Sequence, residues 1–179
     1  MANETYILST GVGEVMKVLQ NFLTSEELIV LRNLSKALFH IDGARLGTYK
    51  YSTTRGFGLG AGIPDTLYQK FLAASELTPP LVGRDIQQFI SYQKDGYIAA
   101  HKDWVDPGAK LYRVNVLVDK AVQGGECVVD GVEVKLNEGD AISLRAELEM
   151  HEVKPVLEGS RMIFTIGFHH KEGMGGPHA

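Results

Sequence analysis

The stretch from Leu111 to Val118 alternates cleanly. Tyr112, Val114, Val116 and Val118 fall on one face of an extended chain, and Leu111, Arg113, Asn115 and Leu117 on the other. The same period of two returns from Arg161 to Phe168, where Met162, Phe164, Ile166 and Phe168 share one side. Between them, Cys127 to Val134 reads as a hairpin, because Asp130-Gly131 suits a turn with positive φ at both central residues. Gly139-Asp140 marks another turn, leading into a strand at Ala141–Leu144. Many short strands punctuated by turn residues predict an antiparallel sandwich or barrel.

The first half mixes helix and strand signals. Thr24 followed three residues later by Glu27 forms a capping box, in which each side chain satisfies a free amide at a helix start. Leu28, Leu31, Leu34 and Leu38 then recur at helical spacing, predicting a helix from about Ser25 to His40. A second helix opens at Pro64, whose fixed φ suits a first turn, and carries Leu67, Phe71 and Leu72 inward. Between the two lies the glycine-rich run Arg55 to Gly62. No Lys-Ser/Thr pair follows it, so a phosphate cradle is the weaker reading and a mobile loop, a lid over a site, the better one. Helices first and a sheet afterwards make the class α+β, mainly β.

With 179 residues the chain suits one domain. The boundaries expected are a helical and strand part over 1–82, a sheet core over 83–170, and a disordered tail over 171–179. A formal charge of −4 without a basic run speaks against nucleic acid as partner. No apolar stretch reaches the roughly 18–20 residues that cross a bilayer, and the first residues lack the pattern of a secretory signal. Cys127, the single cysteine, permits no internal disulfide and fits a reducing, cytoplasmic setting.

His101-Lys102-Asp103 places two metal-ligating side chains two residues apart, a spacing that shares one face in a strand. His151 lies fifty residues on, beyond the hairpin, where the chain can fold back. Two neutral imidazoles and one carboxylate are what a non-haem iron(II) site needs, since three protein ligands leave positions open for others. Arg161, ten residues after His151 and on a strand face with Ile163 and Thr165, is costly to bury without an anion. Its planar fork matches a carboxylate. Taken singly, each feature has a plain structural explanation: a chance His-x-Asp, a core histidine, an internally paired arginine. Order and spacing together favour a site.

The stretch Tyr92 to Asp103 resembles the Tyr-x-x-x-Gly…His-x-Asp segment of prolyl 4-hydroxylase-like 2-oxoglutarate/Fe(II) dioxygenases. The resemblance continues through Gly124-Gly125-Glu126, Gly139-Asp140, His151 to Val156 and Gly159-Ser160-Arg161, with a weaker echo at Asn21 to Glu27. It implies a double-stranded β-helix, or jelly roll, with N-terminal supporting helices. By position His101, Asp103 and His151 would hold iron(II). Arg161 would bind the distal carboxylate of 2-oxoglutarate, with Tyr92, Asn115 and Thr165 as further co-substrate contacts. Two departures stand out. Ile163 occupies a place where many relatives have Ser or Thr, and Arg145 one where an apolar residue is common.

The activity implied is hydroxylation of a C–H bond using O2, with release of succinate and CO2 and with ascorbate as a candidate reductant. Prolyl residues in a peptide or protein are the first substrate expectation. A free amino acid or small metabolite is the alternative, and a non-catalytic metal-binding jelly-roll module a third reading. Trp104, Arg55, Tyr49, Tyr51 and Arg145 are candidates for a substrate-facing rim. His169-His170 is expected to lie exposed, just past the last strand.

Overall fold

A computed structural model describes residues 5–9, 15–39, 54–58, 62–77 and 85–171 of the chain. The alternation seen in the sequence becomes two layers of packing against one sheet. Strand β6 (Ala109–Asp119) buries Val114, Val116 and Val118 on one face and Leu111 and Leu117 on the other. The chain reaches it through β1 (Thr5–Ser9), β2 (Val15–Leu19), α1 (Ser25–Phe39), β3 (Thr54–Gly58), α2 (Asp65–Ser75), β4 (Ile86–Tyr92) and β5 (Ile98–His101). After β6 come β7 (Gln123–Gly124), β8 (Cys127–Val129), β9 (Val132–Val134), β10 (Ala141–Arg145), β11 (His151–Val153), β12 (Val156–Glu158) and β13 (Arg161–Lys171).

A seven-stranded sheet runs β1-β2-β10-β6-β13-β4-β3, a four-stranded sheet β5-β11-β8-β9, and β12 pairs with β7. Every pairing in them is antiparallel. One apolar cluster gathers residues from both larger sheets, among them Leu117, Leu144 and Ile163 with Val129 and Val153. The other joins the back of the large sheet to the helices through Leu31, Phe71, Val116 and Phe164. β1, β2 and β3 complete the large sheet at its edges.

The local signals explain the elements. Thr24 N–H donates to Glu27 Oε2 at 2.8 Å and Glu27 N–H to Thr24 Oγ1 at 3.2 Å, closing the capping box at the start of α1. Asp130 and Gly131 take φ of 46° and 79°, both positive, as the β8–β9 turn requires. No helix among the described residues is long and apolar enough to cross a membrane.

Phe164 carries much of the helix-side core: it is fully buried, edge-on to Phe71 at 5.4 Å and tilted against Phe89 at 4.8 Å between ring centroids. Phe164→Ala is therefore expected to cost about 3–5 kcal/mol, read as a lower urea midpoint. A loss below about 1 kcal/mol would mean this layer is not tightly packed.

Four expectations change. Arg55 to Gly58, read as part of a mobile loop, belong to the edge strand Thr54–Gly58, paired with β4 from Thr54↔Tyr92 to Gly58↔Gln88. Backbone hydrogen bonding there outweighs the weak strand preference of glycine. Pro64 is the cap that precedes α2, with ψ of 138°, and the helix proper starts at Asp65. The last strand runs on through His169 and His170 to Lys171, so the two histidines belong to β13 and are half-buried. Lys171 is thus strand rather than tail, while 172–179, like Tyr49 and Tyr51, lie outside the described residues.

Candidate metal and carboxylate site

His101 ends β5 and pairs directly with His151 of β11, so sheet register closes the fifty-residue gap. Their rings lie 4.3 Å apart between centroids. Asp103 sits beyond the end of β5, not on the strand face that its spacing suggested. Its backbone N–H donates to Ala146 O at 2.8 Å, and this bond turns the loop inward. One ligand atom from each of His101, Asp103 and His151 lies within 4.8 Å of the others. Among the described residues this is the one such group of three or more His, Cys, Asp or Glu side chains.

Both rings are held by backbone carbonyls. His101 Nδ1 lies 2.9 Å from Ala99 O and His151 Nδ1 3.0 Å from Glu149 O. A carbonyl can only accept, so each Nδ1 carries the proton and each Nε2 lone pair is left for a metal. His101 Nε2 is 3.5 Å from Asp103 Oδ1. In the protonated ring Nε2–H donates to Asp103, and this pushes the His101 pKa up against its burial. Burial pulls that of His151 down, and the neighbouring His101 adds to this. Burial alone would raise Asp103, but His101 and Arg113 outweigh it and hold the carboxyl well below the usual range. The donor set of two neutral imidazoles and one carboxylate anion fits a divalent ion with positions left open.

Arg161 opens β13 opposite Tyr92 and is only 5% exposed. Its guanidinium lies over the Tyr92 ring at 5.4 Å, and Nη1 is buried without a hydrogen-bond partner. A cation–π contact leaves Nη1 unsatisfied, so the position is costly until an anion arrives. Tyr92 is itself fully buried, and desolvation pushes its phenol up to about 12. Gly125 makes room for the arginine: a Cβ there would stand 3.0 Å from Arg161 Cδ. From Arg161 the same strand face passes Ile163 to Thr165, about 13 Å along the strand. Asn115 is the register partner of Thr165, and its buried Oδ1 also has no partner.

The remaining candidates are placed differently. Trp104 is 80% exposed in the loop beside Asp103, so it does not pack at the strand end. Arg55 lies on β3 in register with Ser91. Arg145, expected near the metal, pairs in register with Tyr112 and stacks over its ring at 4.7 Å. Tyr112 packs against the helix-side cluster, so Arg145 shares the face away from His101, Asp103 and His151, where Glu147 neutralises it. Sequence reading missed Arg113, whose Nε–H donates to Asp103 Oδ2. The signal was there, since Arg113 alternates onto the face of Asn115 and an inward arginine needs a partner.

No family model matches the sequence, and no curated protein matches it either. Solved structures do match. The viral collagen prolyl hydroxylase vCPH from Paramecium Bursaria Chlorella virus-1, in a 2-oxoglutarate complex, aligns with a TM-score of 0.67 at 18% identity, over 89% of this chain and 99% of that one. A Pseudomonas putida prolyl-4-hydroxylase aligns with a TM-score of 0.67 at 16% identity, over 88% and 93%. HygX from Streptomyces hygroscopicus, with nickel and 2-oxoglutarate bound, gives 0.63 at 15%, over 88% and 83%, and a further HygX structure holds hygromycin B as well. The chain thus has the jelly-roll fold of the 2-oxoglutarate/Fe(II) oxygenases.

Proposed function

We propose that this protein is an Fe(II)- and 2-oxoglutarate-dependent dioxygenase that hydroxylates a C–H bond. The observation that carries the reading is the pairing of a three-ligand group with a buried arginine whose Nη1 lacks a partner. A structural metal site has no use for such an arginine, whereas a bound keto acid with a distal carboxylate does. His101, Asp103 and His151 would hold the iron, which when bound supplies O2 activation coupled to decarboxylation of 2-oxoglutarate. Arg161 would hold the distal carboxylate, with Tyr92 walling the cation on one side. Thr165 and Asn115 lie farther along the same face, and the Asn115 amide offers a hydrogen bond to the bound acid.

Prolyl residues of a peptide or protein are the substrate this reading puts first, in keeping with the two prolyl hydroxylases among the structural matches. HygX, with hygromycin B bound, favours a second reading, a small-molecule substrate. Trp104, Leu148 and Met150 are exposed apolar residues next in sequence or nearly so to metal ligands, and they offer an apolar rim to either. Succinate release from iron-loaded protein should depend on 2-oxoglutarate and rise with the true substrate. Proline-rich peptides and aminoglycosides, assayed side by side, separate the two. No succinate with any of them from folded, iron-loaded protein would count against a dioxygenase.

Metal affinity should depend on pH in a defined direction. His101 has a raised pKa, so the metal-free protein keeps its proton to higher pH and an incoming ion must displace it. Affinity is then full above that pKa and falls about tenfold per pH unit below it. His151, with a lowered pKa, joins only under more acid conditions, steepening the fall to about a hundredfold per unit. Asp103 stays ionised throughout. Cobalt(II) titrations between about pH 8 and pH 5 check this, and a flat profile would exclude the imidazoles as ligands.

A further inference from the structure

We infer that Arg113 is a positioning residue that keeps Asp103 a one-oxygen ligand, so that the co-substrate finds its coordination positions open. The inference rests on the metal reading above. Asp103 divides its two oxygens: Oδ1 faces His101 Nε2 at 3.5 Å, and Oδ2 accepts the Nε–H of Arg113. A free carboxylate can grip an ion with both oxygens, taking a position that a chelating keto acid needs. The charge-assisted bond to Arg113 ties up one of them.

Arg113 is itself fixed on three sides. Its Nη1 reaches Thr165 Oγ1 at 3.5 Å, the limit of a hydrogen bond. It pairs across the sheet with Leu144 on β10 and with Gly167 on β13. Gly167 lies beside the guanidinium: a Cβ there would meet Nη1 at 3.7 Å, an ordinary contact, and Leu111 Cδ1 at a tighter 3.3 Å. The guanidinium is therefore held between the metal-binding carboxylate and the hydroxyl of Thr165. A lysine carries its three donors on one nitrogen and has no planar fork, so it holds the carboxylate and the hydroxyl less firmly.

The test compares wild-type protein with Arg113→Met and Arg113→Lys under anaerobic conditions. Cobalt(II) absorption reports the coordination, and calorimetry with 2-oxoglutarate reports the open positions. Both variants should still take up one cobalt, because all three ligands remain. The Met variant should show an altered cobalt spectrum before any 2-oxoglutarate is added. Its affinity for 2-oxoglutarate should drop about ten- to a hundredfold, with the Lys variant in between. Met and Lys variants that match wild type in both readouts would overturn the role of Arg113. If Arg113→Met does not fold, Arg113→Gln, which keeps no charge, takes its place, and a wild-type spectrum and affinity there overturn the role equally. Wild-type protein that takes up no cobalt would remove the metal site itself, a failure distinct from the others.

Discussion

Arg161→Met is expected to weaken 2-oxoglutarate binding by at least about thirtyfold while leaving the fold intact. The guanidinium is almost fully buried, with Nη1 unpartnered and the Tyr92 ring against it. Losing one half of a buried, hydrogen-bonded charge pair costs about 2–5 kcal/mol, roughly thirty- to several-thousand-fold in affinity. The effect on the free protein should run the other way. A buried cation without an anion is destabilising, and methionine fills similar volume without that cost. Thermal unfolding of the ligand-free variant should therefore occur at or above the wild-type temperature, while calorimetry reports the lowered affinity for 2-oxoglutarate. Metal uptake should survive. A variant that binds the keto acid normally would show that Arg161 serves the fold and not a ligand.

His151→Ala should remove both partners at once. His151 lies mid-sheet, paired with His101 on one side and Val129 on the other, with its Nδ1 held by Glu149 O. Loss of one of three ligands should weaken cobalt(II) binding by more than about a hundredfold, beyond what changes to ligand-orienting groups cost. 2-Oxoglutarate binding should fail with it, because chelation needs the ion. The two substitutions thus separate: Arg161→Met spares the metal and His151→Ala spares nothing. Tight metal binding by His151→Ala would place the ion elsewhere.

Which parts of this could be read from the sequence follows from the range over which each signal acts. The capping box, the Asp130-Gly131 turn and the faces of Leu111–Val118 depend on near neighbours, and each appears as expected. His101, Asp103 and His151 could be picked out as a candidate group because few side chains bind metals, and one ligand atom from each lies within 4.8 Å of the others. Arg145 was misplaced because its face depends on the register with Tyr112, which a period of two alone does not set. The strand at Thr54–Gly58 was hidden because its glycines carry no side-chain pattern, and only pairing with β4 extends it. Arg113 was passed over because its partner Asp103 lies across a loop, brought there by one backbone bond to Ala146.

The most direct measurement is a crystal structure of the protein grown without oxygen in the presence of manganese(II) and 2-oxoglutarate. It should show one ion touching His101 Nε2, Asp103 and His151 Nε2, with the keto acid reaching from that ion to the Arg161 guanidinium. An ion bound by other residues, or the three side chains turned apart with Arg161 facing no ligand, would contradict it.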